Sequence, residues 1–127
     1  MAILSETSRT LNPNREIVIY KLLNDGSAAN TTSTAVDVLD SDELMLIVES
    51  SAGVASGVVT LEGAMTSDYA GTWASLGTAT TNAASKTFLN CVVATNGVTG
   101  LPVPYVRARI STIIGGGTVD VYLIKRR

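Results

Sequence analysis

Histidine is absent from the chain, and cysteine occurs once, at Cys91. Without histidine there is no Ser-His-Asp or Cys-His arrangement, and the commonest general base and metal ligand are both missing. A lone cysteine cannot form an intrachain disulfide. Within FLNCVVA, Cys91 reads as a small core residue of a protein kept in a reducing cytoplasm. Aromatic residues are 5% of the chain, so a core must come mainly from Val, Ile, Leu and Ala. No apolar run approaches the ~18–20 residues of a membrane span, and MAILSETSRT has neither the charged start nor the apolar stretch of a signal peptide. A net charge of −2 and a pI near 4.9 argue against a nucleic-acid binder, which would show a basic face or stripe.

What is present favours strands. The 127 residues suit one domain, and 46% hydrophobic with 16% charged residues supports a packed core. Thr, Ser, Ala and Gly fill much of the remainder, a composition of strands and turns. Along residues 105–111, Val106, Ala108 and Ile110 alternate with Tyr105, Arg107 and Arg109. After Gly115-Gly116-Gly117 the period resumes, with Val119, Val121 and Leu123 against Thr118, Asp120 and Tyr122. Alternation on both sides of a glycine-rich turn predicts an antiparallel hairpin with one buried face.

Upstream, EIVIYKLL (residues 16–23) and LMLIVES (44–50) are apolar on both faces. Shorter strand patterns lie at 35–39, 57–65, 72–76 and 86–93, with a loop expected over 78–85. About eight strands at 8–12-residue spacing predict an all-β, single-domain antiparallel β-sandwich, residues 16–127. Residues 1–15 show no clean period and end near the turn signal Asn12-Pro13-Asn14, so they read as an extended N-terminal arm.

The candidate sites are few. Glu49 and Glu62, expected on adjacent strands, are the one carboxylate pair to weigh for glycoside hydrolysis, and read more simply as solvent-facing. Asp37, Asp40, Asp42 and Glu43 lack the spacing and central glycine of a calcium loop, and turn initiation accounts for them. The glycine triplet lacks the Lys-Ser/Thr and following helix of a nucleotide loop. No catalytic, cofactor or metal residue is assigned. Arg107, Arg109, Lys125, Arg126 and Arg127 are the one basic concentration, to be read equally as a solvated face balanced by acids such as Asp120 or as a docking face for an acidic protein surface. Ile3, Leu4, Arg9, Leu11 and Arg15 give the arm apolar and basic contacts for a neighbour. Tyr69 and Trp73 could form a sugar-stacking platform, although a lone Trp in a small β domain is more often a core or sheet-edge anchor.

The succession VTLEG (59–63), Gly71-Thr72-Trp73, Leu76-Gly77-Thr78, YVRARIST (105–112) and GGGTVDVYL (115–123) resembles the head decoration, or capsid cement, proteins of tailed bacteriophages. The likeness covers roughly residues 35–123, without counterpart over 78–85 and 94–101. It implies a jelly-roll-like sandwich that forms a homotrimer on the outer surface of the virion capsid. There it would bridge copies of the major capsid protein, after synthesis in the host cytoplasm. A carbohydrate- or receptor-binding module of a tail or head fibre is the alternative it leaves open.

Overall fold

The computed structural model describes the backbone of residues 2–12, 15–39, 41, 43–93 and 104–126; side chains are described within 17–39, 41, 43–89 and 104–126. The strands are β1 (Ala2–Asn12), β2 (Arg15–Gly26), β3 (Val36–Asp37), β4 (Glu43–Ser50), β5 (Ser56–Ala64), β6 (Ala74–Thr80), β7 (Thr87–Val93), β8 (Tyr105–Gly115) and β9 (Val119–Arg126). No helix occurs among the described residues. Two antiparallel sheets result, ordered β1-β2-β9-β4-β7 and β3-β8-β5-β6. Leaving β1 aside, this is the strand order of an eight-stranded jelly roll.

Period-two alternation decides which side chains lie between the sheets. From the larger sheet come Val18 and Leu22, Leu44, Leu46 and Val48, and Val119, Val121 and Leu123. The smaller sheet supplies Val59 and Leu61, and Val106, Ala108 and Ile110. All are buried in a single cluster. Each fully buried aliphatic side chain contributes about 1.5–3 kcal/mol, so these facing rows are the main source of cohesion.

The hairpin expected around the glycine triplet does not form. β8 pairs with β5 and β3, whereas β9 pairs with β2 and β4 in the opposite sheet. In a hairpin the two apolar rows would lie side by side on one face and need a further layer to cover them. Crossing between sheets sets the rows opposite each other, and each covers the other. The triplet is thus a crossover, packed against the β4–β5 crossover at the same end of the sandwich. Gly53 (φ 99°) and Gly116 (φ 88°) both take left-handed backbone. A Cβ on either would press into the other's carbonyl oxygen, so the two chains pass backbone to backbone. Ala55 N–H donates to Gly115 O (2.9 Å) and Ser51 N–H to Thr118 O (2.9 Å), closing the seam.

Two further expectations change. Residues 1–15, read as an arm, include an eleven-residue strand: β1 pairs with β2 from Ser5↔Lys21 to Thr10↔Glu16. Pairing satisfies a row of β2 backbone groups that would otherwise form an open edge. The side chains of Ile3, Leu4, Arg9, Leu11 and Arg15, the arm's candidate contacts, lie outside the described residues. The loop expected from Thr78 onward begins later, because β6 runs to Thr80 alongside β5.

Candidate functional site

The basic group expected to lie together on paired strands is divided among three places. Arg107 and Arg109 stand on β8, on the outer face of the four-stranded sheet, as their alternation with Val106, Ala108 and Ile110 requires. Lys125 has the parity of Val119, Val121 and Leu123, so it points inward. It is 6% exposed and its Nζ donates to Asp37 O at 3.1 Å, tying β9 to β3 across the core. Arg126 emerges on the far side of the molecule, on the outer face of the five-stranded sheet, paired with Glu43. Arg127 lies outside the described residues. A shared docking face for these residues is therefore not what the fold builds. Two strands in different sheets cannot present their outer side chains to one side.

On the four-stranded face the organising residue is Glu62 of β5, which sequence reading had placed in solvent. Its side chain is 3% exposed, and its two oxygens accept from Arg107 Nε (2.8 Å) and Arg109 Nε (3.0 Å). Antiparallel register puts Glu62 opposite Arg107 and Thr60 opposite Arg109, so one carboxylate sits between two guanidinium groups. Arg109 Nη1 also donates to Asn30 Oδ1 (3.1 Å), and Thr60 Oγ1 donates to Ser111 Oγ (2.8 Å). Burying a carboxylate is tolerated only when partners replace its water, and here two charge-assisted bonds do so. The signal for this arrangement was a single acidic residue between Leu61 and Gly63, with arginines at i and i+2 on another strand. Only the pairing of β5 with β8 joins them.

Trp73 completes that face. It is 5% exposed, its Nε1 donates to Tyr69 O (2.9 Å), and the Arg107 guanidinium carbon lies 4.1 Å from the centre of its ring. Arg107 covers the face a sugar would have used, and the proposed Tyr69–Trp73 platform is absent although Tyr69 is exposed. Glu49 is exposed on β4 in the other sheet, so Glu49 and Glu62 do not form a carboxylate pair. Of the acidic turn cluster, Asp37 Oδ1 accepts from Leu39 N–H (3.0 Å) and Glu43 pairs with Arg126; Asp40 and Asp42 lie outside the described residues.

The outer face of the five-stranded sheet is of another kind. Successive rows of the register read Ile17–Arg126–Glu43, Ile19–Ile124–Met45, Lys21–Tyr122–Ile47–Leu89 and Asp120–Glu49–Thr87. The two middle rows are apolar apart from Lys21 and the Tyr122 hydroxyl. Leu89 is 63% exposed, and the others in those rows are partly exposed. A depression of about 160 Å³ opens among Ile17, Met45, Ile124 and the Glu43–Arg126 pair. This is the surface to which the both-face-apolar patterns of β2 and β4 point; Tyr122 and Ile124 join it because β9 pairs with β2 and β4 and not with β8, a partnership that alternation alone does not reveal.

Fold and faces together define a jelly-roll β-sandwich with one polar, internally paired outer face and one apolar outer face. The solved structures similar to it include the SPBc2 prophage-derived protein YomS, which shares 11% identity at a TM-score of 0.58 and matches over 94% of this chain and 100% of that one. A structure described as CBM4 matches at 8% identity and a TM-score of 0.42, over 94% of this chain and 73% of that one. A cupin domain from Bordetella pertussis matches at 7% identity and a TM-score of 0.34, over 96% and 90%. No protein-family model matches the chain, and no curated protein matches it in sequence.

Proposed function

We propose that the protein is a structural component of a tailed-phage virion, a decoration or cement protein that binds the outer surface of the capsid and stabilises the lattice by bridging major capsid proteins. The observation that carries this reading is the likeness in fold to a prophage-derived protein along essentially the whole of both chains. The chain's own chemistry supports it. Its outer faces offer a rigid charged surface and an apolar one, both suited to protein contact, and the role asks for binding rather than catalysis. Among the described residues, Arg107 and Arg109, with Glu62 between them, are the basic residues of this reading that share one outer face, where an acidic partner surface would meet them. The fibre-borne carbohydrate module loses its main support with Trp73 buried beneath Arg107.

Purified particles of the phage encoding the chain test the proposal. Cryo-electron microscopy is expected to place one jelly roll per binding site on the outside of the head, and particles lacking the protein should regain it when the purified chain is added. Density confined to the tail, or absence of the chain from purified particles by mass spectrometry, would overturn it.

A further inference from the structure

We infer that the outer face of the five-stranded sheet is a self-association surface on which a second copy of this chain docks face to face. The inference stands on the geometry of that face and does not rest on the virion reading. Its middle is a belt two register rows deep, Ile19–Ile124–Met45 and Tyr122–Ile47–Leu89, bounded at one end by Glu43 and Arg126 and at the other by Asp120 and Glu49. An apolar centre with a charged rim is the anatomy of a protein interface, and contiguous exposed apolar patches of several hundred Å² mark such sites.

The rim selects the occupant. Arg126 pairs with Glu43, and Lys21 lies 3.9 Å from Asp120, so both ends carry both signs and the described side chains of this face hold no large net charge. A strongly acidic or basic partner finds no complement there. A copy related by a two-fold axis running across the strands does: it brings the Arg126 end of one face over the Asp120–Glu49 end of the other, and the same contacts recur twice. An isologous pairing of this kind closes at two copies, in contrast to the three implied by the cement-protein resemblance. Size sets the strength. Five strands about 4.8 Å apart and eight residues rising about 3.3 Å each give roughly 600 Å² of projected face per copy. A standard stable interface buries about 800 Å² per partner. Projected area understates the accessible surface a face can bury, so the face reaches the range of standard interfaces, and the pairing is expected to fill as concentration rises.

Sedimentation equilibrium from about 1 to about 300 µM, spanning micromolar affinities, is expected to show the 13.2 kDa chain passing to twice its mass. Ile47→Lys should weaken that association about a hundredfold, the effect of an unpaired charge in an interface centre. Ile124→Thr keeps a β-branched residue, guards against a folding defect and should weaken it about tenfold. A readout without substitution uses the methionines: Met45 lies in the belt, whereas Met65, 70% exposed, lies just past the end of β5 of the other sheet. With increasing concentration, peroxide oxidation of Met45 should slow relative to Met65. A monomer at the highest concentration, a trimer or dimer indifferent to both substitutions, or Met45 and Met65 oxidising in constant ratio would each overturn the inference.

Discussion

At the centre of the four-stranded sheet the outward side chains are Glu62, Arg107 and Arg109; at the centre of the five-stranded sheet they are Ile124, Met45 and Ile47. The two faces obey the same strand period and lie on opposite sides of one core. The first is complete in itself, since the buried carboxylate has its two cations, Asn30 holds one of them and Trp73 lies under the other. On the second face nothing among the described residues covers the apolar belt. Charge on the first face lies at its centre, paired through Glu62, and charge on the second lies at the rim.

The sharpest way to break this comparison is Glu62→Ala, which leaves two guanidinium groups beside each other without their shared partner. Removing one member of a buried pair costs about 3–5 kcal/mol. With Arg107 and Arg109 side chains 23% and 31% exposed, water recovers part of that, and a loss of about 2–3 kcal/mol is expected. Chemical denaturation should show it, with a fall in Tm of roughly 10 °C. A change below about 0.5 kcal/mol would mean the cluster is a solvated surface like any other.

Removing residues 2–12 comes next. Loss of β1 reopens the β2 edge beside the apolar belt. About 2 kcal/mol of stability and a Tm lower by several degrees are expected, together with aggregation through the exposed edge. An unchanged Tm in differential scanning calorimetry would show that the segment acts as an arm and adds nothing to the domain.

Arg107→Ala is smaller, about 1–2 kcal/mol, from one ion pair and one cation–π contact. Its signature is optical. Trp73 loses its cover, so its emission should move to the red and its acrylamide quenching should rise; an unchanged spectrum would mean that Arg107 does not shield the ring. Smallest of all is Ile19→Thr on the apolar face, expected to change monomer stability by less than about 1 kcal/mol because the side chain is only partly buried. A loss of 2 kcal/mol or more in the monomer would place Ile19 in the core and dissolve the contrast between the faces.

Much of this molecule was legible as local pattern. The alternation of Val106, Ala108 and Ile110 with Tyr105, Arg107 and Arg109 assigned every one of those side chains to its proper face. The same rule, carried two residues past Leu123, places Lys125 inside, where its Nζ reaches Asp37 O. That the chain is an all-β sandwich followed from strand spacing and turn residues alone, because backbone pleating and side-chain period are local properties.

Strand partnership belongs to the tertiary structure. Residues 105–111 and 119–123 have the sequence of a hairpin and the structure of a crossover. Burial, acting between sheets, favours two apolar rows that cover each other over two rows that lie side by side. From that choice follow the separation of Arg107 and Arg109 from Arg126, the seating of Glu62 between the two arginines, and the alignment of Ile124 with Met45 and Ile19. Period two states which side of its own strand a residue occupies; which neighbours share that side depends on contacts between residues some 45 to 105 positions apart, such as Glu62 with Arg107 and Ile19 with Ile124, and these exist only once both sheets have formed around one core.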